Sequence, residues 1–145
     1  MTDAPSARDS LSVALDAIND RWSLHIVRAL AFGASRYTDI LRAVGAPRDV
    51  LASRLRSLAQ AGIIESKEVQ GKARPGYSLT AKGIDLAQVI LVLKKWGDLY
   101  KDENTPSVTF THAPCGQPFV AEVHCTACGQ ALRRGELTAP HDGHE

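Results

Sequence analysis

The sequence predicts an α+β fold, mainly helical, with one small β-hairpin and a compact cysteine-rich extension. Three observations predict it. Apolar residues recur at helical spacing in several stretches between Ser10 and Tyr100. One alternating run, residues 63–69, leads through a Gly/Pro turn cluster at 70–76 to a short returning run at 77–79. All three cysteines lie in one window, as His112-Ala-Pro-Cys115-Gly116 and Cys125-Thr-Ala-Cys128-Gly129.

Along the chain, residues 1–8 read as an irregular tail, and Ser10 caps a first helix bearing Leu11, Leu15 and Ile18. A second helix covers residues 22–32, carries Trp22, Leu24, Ile26, Val27 and Leu30, and stops at Gly33. A short third helix, 37–44, turns Tyr37, Ile40, Leu41 and Val44 inward and ends at Gly45. Pro47 falls in the first turn of a fourth helix, which runs to residue 61 and ends at Gly62. Its core stripe is Leu51, Leu55 and Leu58. Asp49, Ser53, Arg56 and Gln60 occupy the opposite face, and Arg48 projects from the first turn. After the hairpin, Thr80 caps a long helix over residues 81–100. Its stripe of Leu86, Val89, Ile90, Leu93, Trp96 and Tyr100 calls for a second packing surface, such as a second subunit. Trp22 and Trp96 read as core or dimer packing. No internal repeat is recognised.

The last three of these four helices, a hairpin with a basic tip and a further helix form the order of a winged helix-turn-helix DNA-binding domain with a long C-terminal dimerisation helix, here residues 10–104. A zinc-ribbon-like extension follows at 108–137. H-x2-C and C-x2-C are the spacings by which two turns grip one tetrahedral Zn2+, and the glycine after each pair permits the positive φ of a tight knuckle. The predicted ligands are His112, Cys115, Cys125 and Cys128. His124 is the alternative to His112, disfavoured because it adjoins Cys125. A strand is expected at 119–123. His141 and His144 read as solvated. A reversible Cys125–Cys128 disulfide is the rival reading of the cluster.

The 145 residues carry a net charge of +1, with 44% hydrophobic and 23% charged residues, as in a soluble globular protein. Residues 21–74 hold ten Lys/Arg against four acids, a local footprint for a polyanion. No apolar run approaches the roughly 18 residues that span a bilayer, and the N-terminus lacks a signal-peptide layout, so the expected location is cytoplasmic with no membrane partner. Metalloprotease, P-loop, nucleophile-elbow and deaminase motifs are all absent, which argues against an enzyme.

Several segments together resemble the HxlR-type regulators. They are Asp20-Arg21-Trp22-Ser-Leu24, Ile26-Val27-Arg28, Arg36-Tyr37-Thr38-Asp39-Ile40-Leu41, Val50-Leu51-Ala-Ser-Arg54-Leu55-Arg56-Ser-Leu58, Ala61-Gly62-Ile63-Ile64, Tyr77-Ser-Leu79-Thr80-Ala-Lys-Gly83 and Lys95-Trp96-Gly97. The resemblance implies a homodimeric bacterial transcription factor whose second motif helix enters the major groove, with the wing beside it. It places Arg48, Asp49, Ser53 and Arg56 toward bases or phosphates, and Lys72 and Arg74 on the wing. Two departures stand out. No cysteine precedes the first helix, which excludes sensing through that residue, and the wing is shortened.

Arg36 suits a backbone phosphate or an ion pair with Asp39. Arg54 lies nearer the buried side and suits a phosphate or a neighbouring acid. Asp49 suits a cytosine amino group or the helix dipole. The sequence therefore predicts a dimeric, sequence-specific DNA-binding repressor with a structural or sensory zinc site. Its double-stranded operator is roughly palindromic, and a small-molecule effector would bias one dimer geometry. The alternatives are a metal- or redox-sensing regulator with the cysteine cluster as input, and a ribbon-based protein-interaction adaptor.

Overall fold

The structure, a computed structural model, describes residues 8–140. The tail at 1–7, His141 and His144 lie outside the described residues. The elements run α1 (Ser10–Ile18), α2 (Ser23–Ala31), α3 (Tyr37–Val44), α4 (Arg48–Gln60), β1 (Ile64–Lys67), β2 (Gly76–Leu79), α5 (Ala81–Tyr100), β3 (Thr111–His112) and β4 (Gln117–Pro118). The order is that of a winged helix-turn-helix fold. Two compact units divide inside α5, at Ile90 and Leu91.

In the first unit Ile26, Val27 and Leu30 of α2 meet Ile40 of α3, Leu51, Leu55 and Leu58 of α4, and Ile63 and Ile64 at the start of the hairpin. Leu86 and Ile90 of α5 pack on this cluster. The predicted stripe of α4 is thus core, as is that of α2 apart from Leu24, which is half-buried outside the cluster, and Trp22, which packs on its edge. That of α1 is not: Leu11 and Leu15 are exposed. Its cap is also Asp9 rather than Ser10, because the Asp9 carboxylate accepts from Ser12 N at 2.8 Å. Pro47 sits at the N-cap of α4 with extended ψ, one residue before the helix, where its lack of an N–H costs nothing.

β1 and β2 pair antiparallel, Ile64 opposite Leu79 and Lys67 opposite Gly76. The segment before α3 joins them: Arg36 bridges Gly76, and Tyr77 N donates to Ser35 O at 2.7 Å. The start of the helix-turn-helix is therefore stitched to the base of the wing.

A second seam fastens the end of α4 to the start of α5. Lys82 Nζ donates to Ala61 O at 2.7 Å, and Thr80 Oγ1 donates to the carbonyls of Gly62 and Ile63. Thr80 also caps α5, accepting from Gly83 N at 3.2 Å. Gly83 is buried directly against the Ile63 carbonyl.

In the second unit, Lys94 and Asp98 form an i,i+4 pair on α5, and Ser107 Oγ donates to Asp98 at 2.7 Å. The Lys94 ammonium lies 5.8 Å from the Phe110 ring centroid, and Ala121 is buried. The cysteine-rich segment therefore stands on the last turns of α5.

Candidate DNA interface and metal knuckles

On α4 the core stripe faces inward, which leaves Arg48, Asp49 and Arg56 exposed and Ser53 half-buried on the opposite side. Lys72 and Arg74 are exposed on the wing, and Arg36 is exposed where the wing meets α3. Among the described residues Arg36 makes no ion pair with Asp39. Asp49 lies in the first turn of α4, where the positive end of the helix dipole favours an acid.

Arg54 has the neighbouring acid. Its guanidinium lies 3.5 Å from the Asp20 carboxylate, and both side chains are largely covered. Asp20 also accepts from the backbone N–H of Trp22 and Ser23 at 2.7 and 2.8 Å, and from the Ser23 hydroxyl. Burial pushes the Asp20 carboxyl up, but the Ser23 hydroxyl, the two backbone donors and Arg54 outweigh it and hold the group below its ordinary 3.8. A depressed folded pKa contributes stability that is full above the unfolded value and lost as pH falls through the folded one. Asp20→Ala should therefore cost about 1 kcal/mol at neutral pH, as loss of a helix-start acceptor does. It should also flatten the acid limb of the stability–pH curve below about 4 in chemical denaturation. An unchanged acid limb would show that Asp20 does not anchor α2.

The cysteine window forms two hairpins related by a shift of 13 residues, a repeat missed in the sequence although Cys115-Gly116-Gln117 returns as Cys128-Gly129-Gln130. Phe119 N donates to Phe110 O at 2.7 Å, and Leu132 N to Val123 O at 2.8 Å. Thr111 faces Pro118, and His124 faces Ala131. Gly116 N donates to His112 O at 2.8 Å, and Gly129 N to Cys125 O at 2.7 Å. Gly116 and Gly129 take φ of 70° and 73°, the left-handed turn each knuckle requires. The strand expected at 119–123 is instead the irregular link between the hairpins.

His112 Nδ1 lies 3.3 Å from Cys115 Sγ. The Cys125 thiol is held below its ordinary value by the backbone N–H of Cys128, then that of Ala127, then the Cys128 thiol. His124 is occupied elsewhere, with Nδ1 3.1 Å from Gly129 O and Nε2 3.3 Å from Glu122. All three cysteines are free and exposed. Among the described residues no three His, Cys, Asp or Glu side chains form a group that could hold a metal ion.

A buried-cored helix pair presenting cations, flanked by a wing, defines the class: a winged helix-turn-helix fold of the kind transcriptional regulators carry. The HxlR-like helix-turn-helix family matches residues 17–105, and the chain belongs to that family. It is 34% identical over 132 residues to an uncharacterized HTH-type transcriptional regulator of Mycobacterium tuberculosis, Rv3095, covering 90% of this chain and 84% of the relative. The crystal structure of PA1607, described as a transcription factor candidate, superposes with a TM-score of 0.83 at 27% identity, covering 94% of this chain and 97% of the other. The reduced form of the transcriptional regulator YodB from Bacillus subtilis superposes with a TM-score of 0.55 at 25% identity, covering 72% of this chain and all of YodB. Among the described residues no helix is long and apolar enough to cross a membrane.

Proposed function

We propose that the chain is a dimeric repressor that binds a roughly palindromic operator through α4 and the wing, and that its two knuckles share one Zn2+. The observation that carries the DNA reading is the exposed face of α4, with Arg48, Asp49 and Arg56 opposite a buried Leu51–Leu55–Leu58 stripe. Arginines there, with Lys72 and Arg74 of the wing, displace counterions from the duplex, while side chains in the groove select the sequence. A dimer is supported by apolar surface left uncovered in one chain: Leu11 and Leu15 on α1, and Val89, Leu93, Trp96 and Tyr100 on α5. Two-fold pairing would set two α4 helices about one DNA turn apart. An effector would act by favouring one dimer geometry, and a cleft of about 270 Å³ lined by Leu91, Lys95, Phe110 and Phe119 offers it room.

Zinc fits the donor set. One imidazole and three thiols suit a closed tetrahedral site, and in the second knuckle the backbone N–H groups of Ala127 and Cys128 point at the Cys125 sulfur. His112, Cys115, Cys125 and Cys128 would hold the ion, which would cross-link the two hairpins.

The first experiment is fluorescence anisotropy of the purified chain with the DNA upstream of its own gene and with a random-sequence duplex, over a salt series. Tight, selective, salt-steep binding supports the regulator. Weak, salt-insensitive binding to both would sink it and favour a protein-interaction adaptor. Metal analysis should find one zinc per chain. Chelator should loosen residues 108–137 and leave the helical content of 10–104 intact. No bound zinc, with Cys128→Ser behaving as the parent, would remove the metal.

A second reading is favoured by the three exposed thiols: oxidation or metal loss at the knuckles as the input signal. It requires that oxidant or chelator change DNA affinity while residues 10–104 stay folded.

A further inference from the structure

Tyr37 opens α3, and the sequence reads it as one more inward residue of that helix. The structure gives it two further contacts on different elements. Its hydroxyl donates to the Arg48 carbonyl at 2.9 Å, in the first turn of α4. Its ring carries the Arg74 guanidinium of the wing, 5.0 Å from the centroid. Its backbone neighbours are fixed as well, through the Arg36–Gly76 bridge and the Tyr77 N to Ser35 O bond.

We propose that Tyr37 is a positioning residue for DNA recognition, setting the wing cation Arg74 and the recognition-helix start at Arg48 in one fixed spacing. The proposal rests on the DNA-binding reading above and deepens it. An arginine is a long, rotamer-rich side chain, and holding it for a phosphate normally costs conformational entropy. A guanidinium held over a tyrosine ring has lost that freedom already. Its N–H donors lie in its own plane, so contact with the ring still leaves edges open to a phosphate. The hydroxyl adds a second constraint, because the Arg48 carbonyl is part of the helix whose first turn meets the groove. One side chain thus spans the two contact surfaces that must fit the same duplex. A phenylalanine would keep the ring and lose the link to α4; a leucine would lose both.

The test is anisotropy with the upstream duplex and the random-sequence duplex over a salt series, on Tyr37→Phe, Tyr37→Leu, Arg74→Ala and the Tyr37→Leu/Arg74→Ala double variant. Thermal unfolding of each provides the folding control. Tyr37→Phe should leave the salt slope unchanged and reduce selectivity for the upstream duplex roughly threefold to tenfold, the effect of one lost hydrogen bond. Tyr37→Leu should lower the slope by about 0.9, one phosphate contact, as Arg74→Ala does. The double variant should fall no further than either parent. Additive losses, a Tyr37→Leu slope equal to the parent's, or unchanged selectivity in Tyr37→Phe would each overturn the proposal. If Tyr37→Leu fails to fold, Tyr37→Phe still tests the link to α4 through its selectivity. Arg48→Ala and Arg56→Ala separate the two failures. If they weaken binding while the Tyr37 variants do not, only this inference falls. If no variant changes binding, the DNA reading itself has failed.

Discussion

Gly83→Ala should cost the helix-turn-helix unit about 3 kcal/mol, lowering its thermal midpoint by roughly 15 °C. A Cβ built at Gly83 would lie 2.2 Å from the Ile63 carbonyl oxygen and 3.0 Å from Leu79 Cδ2. That carbonyl cannot retreat without loss, because it accepts from both Thr80 N and Thr80 Oγ1 at 3.1 Å. Relief of the clash would have to move α5 away from the β1 end of α4, breaking the Lys82 bond to Ala61 at the same time. Alanine is otherwise the better helix former, so helix propensity alone predicts the opposite sign. Thermal or denaturant unfolding decides: a variant as stable as the parent would show that α5 does not approach the hairpin this closely.

Neutralising the outer face of α4 should have the largest effect on DNA affinity. Arg48→Ala and Arg56→Ala are each expected to weaken binding to the upstream duplex by about 1–3 kcal/mol if they read a base edge. Neither should unfold the protein, since both side chains are exposed and no core contact is removed. The salt series sorts their roles. A residue on a phosphate weakens both duplexes alike and lowers the slope by about 0.9; a residue on a base mainly erodes selectivity. Arg54→Ala should behave differently, losing stability through Asp20 before it loses DNA affinity.

Much of this fold is legible in the sequence, for local reasons. The Leu51, Leu55 and Leu58 spacing identifies both the buried face of α4 and, by exclusion, the exposed one that carries Arg48, Asp49 and Arg56. The Gly45 stop, the alternating run at Ile63 and the Thr80 cap are likewise written in neighbouring residues. What escapes a sequence reading is long-range. Nothing around Tyr37 announces a bond to a carbonyl eleven positions on or a cation from the wing. Lys82 looks like an ordinary surface lysine until α4 is seen to end beneath it. Arg54 and Asp20 are 34 residues apart, and helical phase alone shows only that Arg54 leans toward the buried side. The strand expected at 119–123 failed for a related reason. Only Ala121 of its apolar residues is buried, while Val120 and Val123 are exposed, so the apolar run does not report a ladder.

The seam between α4 and α5 makes the long helix a lever with its first turn bolted to the end of α4. α5 is about 30 Å long, so a tilt of about 5° about one end moves the other by about 3 Å. With Lys82, Thr80 and Gly83 locking its first turn to the Ala61–Ile63 corner, that motion has no slack to absorb it before α4. In the proposed dimer, a tilt at that joint would be a change in the distance between two α4 helices, a quantity the pitch of DNA tolerates poorly.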